Sequence, residues 1–300
     1  MSSPDTPKAS IGLPVYNEAR YIRQTLDSIL AQDLTDFEVV LSDNASTDST
    51  GDICREYAAR DRRIRYHRQD RNIGQTLNLN WVFLQSRGEY FKWCGGHDIL
   101  HPSCLSHCVA EMDPRPSVVC CYPIVGAIED DGTPVAGLEW TRMDTRTMNL
   151  NSRINTILWG LSGCDPLFGL SRSDALRRTR LFRNVVCNDS LVLFELSLMG
   201  HVAFIPETLV FLRRHRSPET YHEYMARYRR MWYPEGRSPH FRLWCGNWRY
   251  LYEHIRSILF GPVPFEKKFV LLISVVWVLL VRRGKHMAHD LIEAVGLPRP

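Results

Sequence analysis

The stretch that decides the fold is an apolar strand ending in a polar turn, Ala-Ser-Ile-Gly-Leu-Pro-Val-Tyr-Asn-Glu at residues 9–18. Its first part, Ala9–Val15, predicts a buried strand. The following residues, Glu18–Ala31, carry their apolar side chains on one helical face. A buried strand that leads directly into an amphipathic helix is the first half of a βαβ unit, which builds a mainly parallel sheet.

The same alternation recurs along the next hundred residues. The predicted strands are Phe37–Ser42, Ile64–His67 and Glu89–Trp93, and the predicted helices are 46–60, Gln75–Gln85 and Pro102–Met112. In the helix Gln75–Gln85, the spacing predicts that Leu77, Trp81 and Leu84 point inward. We therefore predict an α/β fold, with a mixed, mainly parallel sheet flanked by helices.

The remaining elements are less regular. We predict strands at Val118–Tyr122, Ile124–Ala127, Val202–Ile205 and Thr208–Arg213, a hairpin turn at 130–132 and a helix at Asp189–Met199. Residues 133–165 show little periodicity, and we expect a loop and a helix over the active face. The sheet domain is predicted to span residues 1–215, and a helical, aromatic-rich C-terminal region to span residues 216–300.

Polar residues follow each of the first four strands, where an open parallel sheet binds its ligands. The candidate site residues at these strand ends are Pro14, Tyr16, Glu18, Asp43, Asn44, Arg71, Asn72, Gly74, His97 and Asp98. The sequence has neither a G-x-G-x-x-G fingerprint after strand one nor a P-loop, which argues against a dinucleotide-binding dehydrogenase and a P-loop enzyme. A carboxylate at this rim can instead hold a divalent cation that neutralises a diphosphate.

Four motifs in this order resemble the family 2 glycosyltransferases of the GT-A (Rossmann-like) fold. They are SIGLPVYNE at 10–18, VVLSDNASTDST at 39–50, RNIG at 71–74 and GEYFKW at 88–93. The resemblance implies an inverting enzyme that moves a sugar from a UDP-, GDP- or dTDP-linked donor to a hydroxyl acceptor, carbohydrate or lipid-linked. Its expected setting is cell-surface polysaccharide or glycolipid synthesis.

The resemblance also implies roles for individual residues at the donor site. Tyr16 would lie against the base, Asp43 would accept a hydrogen bond from the base edge, and Arg71 would approach the base or the phosphates. From the residues alone, Tyr16 can also be a packed aromatic side chain. Asp43 can likewise be an ordinary loop residue.

A second group of implied roles concerns the metal and the acceptor. Asp98 would bind Mn²⁺ or Mg²⁺, Asp189 would be the general base, and His215 would contact the metal or a phosphate. Asp189 can also be a helix N-cap, and His215 a solvated side chain. Relatives usually carry a second acid where this chain has His97, and imidazole tilts the preference toward Mn²⁺.

Charge is distributed unevenly along the chain. Residues 1–212 hold 21 basic and 26 acidic side chains, net −5, whereas residues 213–300 hold 16 and 7, net +9. A basic, aromatic-rich segment suits a nucleic acid or an anionic membrane, and composition does not choose between them. Taking this charge distribution together with the family resemblance, we expect peripheral contact with an anionic membrane and no nucleic-acid partner.

One apolar segment, Phe269–Val281, bears on the membrane question. As a helix its 13 residues reach about 20 Å, against a hydrocarbon core of about 30 Å. An interfacial, re-entrant or buried helix is therefore favoured over a transmembrane span. Because Met1–Ser10 has no apolar run and the nine cysteines suit reduced thiols, we expect a cytoplasmic protein, peripheral at the inner face of the membrane.

Two alternatives to sugar transfer remain at this stage. A nucleotidyltransferase of similar fold would release pyrophosphate in place of a nucleoside diphosphate. A catalytically degenerate protein would bind nucleotide sugars, or act as a membrane scaffold, without turnover; the lone carboxylate Asp98 favours this alternative, and Asp189 argues against it.

Overall fold

The structure, a computed structural model, describes residues 6–135, 142–160, 165–213 and 246–294. Within them, eight strands form one sheet that has helices on both faces. The strands are β1 (Ala9–Val15), β2 (Phe37–Asp43), β3 (Ile64–Arg68), β4 (Tyr90–Trp93), β5 (Ile99–Leu100), β6 (Val118–Ile128), β7 (Leu170–Arg172) and β8 (His201–Arg213). The helices are α1 (Ile22–Leu30), α2 (Thr50–Arg60), α3 (Gln75–Leu84), α4 (Cys104–Met112), α5 (Leu150–Gly160), α6 (Ser173–Arg177), α7 (Asn188–Met199), α8 (Asn247–Phe260) and α9 (Phe265–Ala294).

The strand order places the predicted site residues at one edge of the sheet. The order is β3-β2-β1-β4-β7-β6-β8-β5. The pairs β1–β2, β1–β4 and β2–β3 are parallel, as the sequence predicted, whereas β7 runs antiparallel to both β4 and β6. Since β1 to β4 are parallel, their carboxyl ends lie at the same edge, followed by the polar loops.

Apolar side chains cover both faces of the sheet and also join the C-terminal helices to it. On one face, Ile11 and Leu13 of β1 lie in a core that includes α1, α2 and α4. On the other face, Phe91 of β4 lies in a core with α3, α6 and α7. A third core joins α5 and α7 to α8 and α9. The division at residues 215/216 stays a prediction, although this third core spans it.

Two predicted helices differ from those in the structure. α1 begins at Ile22 and not at Glu18, because the amide groups of Glu18 and Ala19 donate to side chains of the loop after β2. In α3, Leu77 and Leu84 are 56% and 66% exposed, so their predicted inward orientation was wrong. The helix turns Asn78, Val82 and Phe83 inward instead, because the Asn78 side chain is hydrogen-bonded to Ser42 of β2.

Other differences concern the second half of the sheet. The two strands predicted at Val118–Tyr122 and Ile124–Ala127 form a single strand, β6, with a register shift after Pro123. The two strands predicted between 202 and 213 likewise form β8. The expected helix within 133–165 is α5, which packs against α7 and α9. The short strands β5 and β7 were not predicted, because two or three residues carry no periodic signal.

The last helix, α9, contains the apolar segment Phe269–Val281. Among the described helices, none combines the length and the hydropathy that a membrane span requires. One side of α9 is buried at Leu271, Val275 and Val278 in the core with α5 and α7. The segment is therefore a helix with one buried and one exposed side.

His254 gives the C-terminal core a predictable pH dependence. The ring is buried between Phe194 and Tyr250, and Nδ1 lies 2.8 Å from the carbonyl oxygen of Tyr250. Burial lowers the pKa of His254 to about 3. An unfolded histidine takes up a proton near pH 6.5. Between this pH and about 3 the unfolded state therefore binds a proton at His254 that the folded state does not bind. This contribution to stability is present above about pH 6.5 and is lost as the pH falls toward about 3.

We expect His254→Asn to be less stable than the parent at pH 7 and to lose less stability on acidification. The difference in the free energy of unfolding between the two proteins, measured by urea denaturation, should shrink steadily from pH 7 to pH 4. A difference that stays constant over this range would contradict a neutral, buried His254.

Candidate active site

The loop after β1 is fixed to the loop after β2 by backbone-to-side-chain hydrogen bonds. Asn17 has a left-handed backbone (φ 55°), which asparagine tolerates better than most residues. Its N–H donates to Ser46 Oγ at 3.0 Å, and its Oδ1 accepts from the N–H of Thr47 at 2.8 Å. The N–H of Glu18 donates to Thr50 Oγ1 at 2.7 Å. The two loops therefore form one unit.

Asp43 is the buried anion of this unit. Its Oδ2 accepts from Arg68 Nη1 at 2.6 Å and from the Tyr66 hydroxyl at 3.1 Å, and its Oδ1 accepts from the N–H of Ser46 at 2.8 Å. Burial and the Asp43 charge raise the pKa of Tyr66. The carboxylate is 0% exposed, while the Arg68 side chain is 42% exposed. The Asp43 carboxylate is therefore closed to solvent in this structure, and contact with a ligand requires that its present partners move.

The loop after β3 is joined to the same unit through two asparagines. Asn44 Nδ2 donates to Asn72 Oδ1 at 3.0 Å, and Asn44 Oδ1 accepts from the N–H of Ile73 at 2.9 Å. Gly74 has φ +85°, a conformation that suits glycine, and it directly precedes α3. Arg71 is exposed in this loop. The loops after β1, β2 and β3 are thus joined to one another by hydrogen bonds.

The fourth loop brings two carboxylates and an imidazole together. Glu18 Oε1 and His97 Nδ1 lie 3.0 Å apart, and His97 Nε2 lies 3.9 Å from Asp98 Oδ1. Burial opposes protonation of His97, but the hydrogen bond with Glu18 and the Asp98 charge outweigh it and raise the pKa of His97. For Asp98 the effect of burial is the opposite: burial raises the pKa of this carboxyl group, although the His97 charge and the N–H of Gly95 oppose the rise.

Two consecutive glycines make this close approach possible. A Cβ atom on Gly95 would lie 2.6 Å from Asp98 Oδ2, and one on Gly96 would lie 2.7 Å from Glu18 Cγ. The carbonyl oxygen of Gly96 also accepts from Thr25 Oγ1 at 3.0 Å. The dipeptide therefore leaves the space in which Glu18, His97 and Asp98 meet.

Arg213, at the end of β8, holds this loop from the other side. Its Nε donates to the carbonyl oxygen of His97 at 3.3 Å, and Nη1 donates to the carbonyl oxygens of Glu129 and Asp130 at 2.8 and 2.6 Å. Its Nη2 donates to Gln24 Oε1 at 2.8 Å. Neither Arg213 nor Arg68 was predicted as a site residue from the sequence. Each is a basic residue at the carboxyl end of a strand, and this position could have indicated a role at the site.

Two further predicted donor residues lie at the β1 end of the rim. Tyr16 is 44% exposed, so its ring can accept a stacked base. Pro14 pairs with Ser42 of β2 and lies beyond Gly12 and Trp93, the last residue pair between β1 and β4. Because proline has no backbone N–H, this position leaves the hydrogen bonds between β1 and β4 intact.

Asp189 lies in the first turn of α7. Its Oδ1 accepts from the N–H of Ser190 at 2.6 Å, and the N-cap residue is Cys187, so Asp189 is not the N-cap. The C-terminal region reaches this turn, because Arg283 Nη2 lies 2.8 Å from Cys187 Sγ and its guanidinium lies over the Tyr250 ring. His215 lies outside the described residues, and the roles of both Asp189 and His215 stay predictions.

The metal prediction can be tested against the donor atoms present. In the part of the chain that the structure describes, no group of three or more His, Cys, Asp and Glu side chains could hold a metal ion. Asp98 and His97 offer one carboxylate and one imidazole nitrogen. They fit an ion that takes its remaining ligands from a diphosphate and water, as Mg²⁺ commonly does. They do not form a closed structural site.

Residues 10–180 match the family described as Glycosyl transferase family 2. The chain belongs to this family. An uncharacterised protein from Mycobacterium tuberculosis is 32% identical over 232 residues, which cover 74% of this chain and 62% of that protein. Chondroitin synthase from Escherichia coli is 33% identical over 135 residues, which cover 45% of this chain and 20% of the synthase. The chain thus spans less than two thirds of either relative.

Solved structures confirm the fold of this family 2 member. TarS 1–349 from S. aureus, solved in complex with UDP, superposes with a TM-score of 0.63 and 20% identity over 90% of this chain and 70% of that one. The mannosyltransferase PcManGT from Pyrobaculum calidifontis, solved in complex with GDP-Man and Mn²⁺, superposes with a TM-score of 0.56 and 19% sequence identity. This match covers 99% of this chain and 77% of that one. The predicted GT-A fold, with its mixed and mainly parallel sheet, is therefore correct.

We expect Gly96→Ala to displace Glu18 and to cost about 1–3 kcal/mol of unfolding free energy, as overpacking of a tight site does. Urea denaturation measures this cost. Gly284→Ala is the matched control, because its Cβ would meet nothing within 4 Å, and helix propensity predicts a gain of roughly 0.5–1 kcal/mol. Equal stability of Gly96→Ala and the parent would show that Glu18 and Gly96 are not in close contact.

Proposed function

We propose that this family 2 glycosyltransferase moves a sugar from a nucleotide diphosphate donor to a hydroxyl acceptor with inversion at the anomeric carbon. The observation that carries the proposal is the meeting of Glu18, His97 and Asp98 at the carboxyl ends of parallel strands. This cluster adjoins loops already joined to one another and leaves an exposed aromatic ring, Tyr16, at the same rim.

The donor would lie along the loops after β1, β2 and β3. Tyr16 stacks on the base, Asp43 accepts from the base edge once Arg68 has moved, and the exposed Arg71 meets the phosphates. The link from Asn44 to Asn72 and the turn at Gly74 keep this loop in place. UDP in the TarS structure and GDP-Man in the PcManGT structure support a nucleotide-sugar donor, which we propose to be a UDP-, GDP- or dTDP-sugar.

Asp98 and His97 would hold the divalent cation, Mn²⁺ or Mg²⁺, with His215 as the predicted further contact. When bound, the cation neutralises charge on the leaving diphosphate. Glu18 orients the imidazole, because its Oε1 lies on the Nδ1 side and leaves Nε2 toward Asp98. An imidazole ligand favours Mn²⁺ over Mg²⁺. The Mn²⁺ in the PcManGT structure supports this choice.

Asp189 would take the proton from the acceptor hydroxyl. The acceptor oxygen forms a bond to the anomeric carbon while the bond from that carbon to the diphosphate oxygen breaks, and the diphosphate leaves with the electron pair. Because one displacement occurs, the anomeric centre inverts. The likeness to chondroitin synthase supports a carbohydrate acceptor in polysaccharide synthesis, and a lipid-linked hydroxyl is the second proposed acceptor class. We propose a cytoplasmic location, peripheral at the inner face of the membrane.

A second candidate function is nucleotide-sugar binding without turnover. The observation that favours it is the absence of a three-ligand metal group among the described residues. It predicts binding that does not depend on a divalent metal and no release of diphosphate with any donor. A nucleotidyltransferase, the remaining alternative, would release pyrophosphate.

The test is a panel of nucleotide sugars, each assayed with Mn²⁺, with Mg²⁺ and with chelator, for acceptor-dependent release of nucleoside diphosphate. We expect Asp98→Asn to lower turnover by roughly 100-fold or more, since the metal contributes several kcal/mol to transition-state stabilisation. Asp52→Asn is the control, because that carboxylate is 78% exposed on α2. Full turnover in chelator or in Asp98→Asn would overturn the metal assignment, and pyrophosphate release would overturn sugar transfer.

We expect His97→Asn to change the metal preference in the same assay. Loss of the imidazole ligand should raise the Mn²⁺ concentration for half-maximal activity by about 10–100-fold, with a smaller change for Mg²⁺. An unchanged Mn²⁺ requirement would show that His97 is not a ligand, and equal shifts for the two metals would contradict the preference of the imidazole for Mn²⁺.

A further inference from the structure

The end of the α8–α9 hairpin carries large apolar side chains that project into solvent. Phe260 at the end of α8 is 83% exposed, and Phe265 and Phe269 at the start of α9 are 88% and 72% exposed. Ile273 and Trp277 continue the same side of α9 at intervals of four residues and are 56% and 65% exposed. Together these five residues form an apolar ridge.

The apolar ridge is not the packing face of α9. The opposite side of the helix already holds it to the protein through Leu271, Val275 and Val278, which are 0–1% exposed. From Phe265 to Trp277 the ridge runs about 18 Å along the helix at about 1.5 Å per residue. Contiguous exposed apolar surface of this kind marks an interaction site in a folded protein.

Exposed basic side chains lie at the hairpin end that carries the apolar ridge. Arg256 and Lys267 are exposed near the hairpin end, and Lys285 is exposed beyond the far end of the ridge. Glu266 lies among them at the start of α9, where the helix dipole favours an acidic side chain. Residues 246–294 hold seven basic and four acidic side chains, a net charge of +3. Apolar insertion beside basic side chains matches an anionic bilayer surface, in which phenylalanine rings enter the interface and lysine and arginine meet headgroups.

The shape of the surface favours lipid over a protein partner. The five side chains of the apolar ridge are 56–88% exposed, so they project from the surface. Such side chains can enter a fluid interface without a complementary pocket, whereas a protein partner would need one at the centre of its interface.

We propose that the apolar ridge inserts into the surface of an anionic membrane, with Arg256 and Lys267 at the hairpin end on the lipid headgroups. The contact is peripheral and rests on one side of α9. It is independent of the proposed sugar transfer, because no ridge residue belongs to the loops at the strand ends. Its consequence is that α9, which also contacts Cys187 at the start of α7 through Arg283, holds the transferase beside membrane-borne acceptors.

The experiment is flotation of the full chain with vesicles of phosphatidylglycerol and phosphatidylcholine, compared with phosphatidylcholine alone, at low and high salt. We expect the parent to float with the anionic vesicles, less at high salt, and not with the neutral ones. The triple variant Phe260→Ser, Phe265→Ser, Phe269→Ser should bind at least about tenfold more weakly. Leu84→Ser is the matched control, since Leu84 is 66% exposed on α3, and should bind like the parent.

Several outcomes would overturn the proposal. These are failure of the parent to float with anionic vesicles, equal binding by the triple variant, or equal loss in Leu84→Ser. A parent dimer that the triple variant dissociates, with no vesicle binding, would assign the ridge to a second copy of the chain. Phe265→Glu serves as a second variant should the triple variant lower the unfolding midpoint. Sugar transfer to a soluble acceptor, measured in parallel, should be unchanged in Phe265→Glu, which separates this test from that of the proposed function.

Discussion

Several backbone N–H groups of the strand-end loops donate to side chains and not to the sheet, and a buried polar group without a hydrogen bond costs stability. In this protein the side chains of neighbouring loops meet that requirement. Ser46 and Thr50 accept from the loop after β1, Asp43 accepts from its own loop, and Asn44 accepts from the loop after β3. The same contacts that satisfy the backbone therefore fix the rim at which the donor is proposed to bind.

Much of the fold could be predicted, because buried parallel strands and amphipathic helices have distinct periods. Ala9–Val15 has the predicted bounds. The inner face of α3 could not be predicted from hydrophobicity, since Asn78 points inward to bind Ser42 while Leu77 and Leu84 remain outside. The strands β5 and β7 exist only through pairing with β8, β4 and β6, and such long-range pairing leaves no local signal.

The site was predictable to the extent that it lies directly after strands. The sequence indicated Glu18, His97 and Asp98 individually, and the structure shows that they meet. The sequence did not indicate the arginines that contact the site. Arg213 bonds to His97 from 116 positions away in the sequence, and Arg68 bonds to Asp43 from 25 positions away. The proposed base, Asp189, lies on α7, whose packing against α8 joins the acidic sheet region to the basic C-terminal helices.

We propose that this rim binds the diphosphate of a nucleotide sugar through a divalent metal held by Asp98. The most direct measurement is a crystal structure of the protein with Mn²⁺ and a nucleoside diphosphate, with anomalous data collected at the manganese edge. We expect a manganese peak within about 2.2 Å of an Asp98 carboxylate oxygen and a base against Tyr16. A nucleotide bound away from the loops after β1 to β4, or a metal that does not contact Asp98, would contradict it.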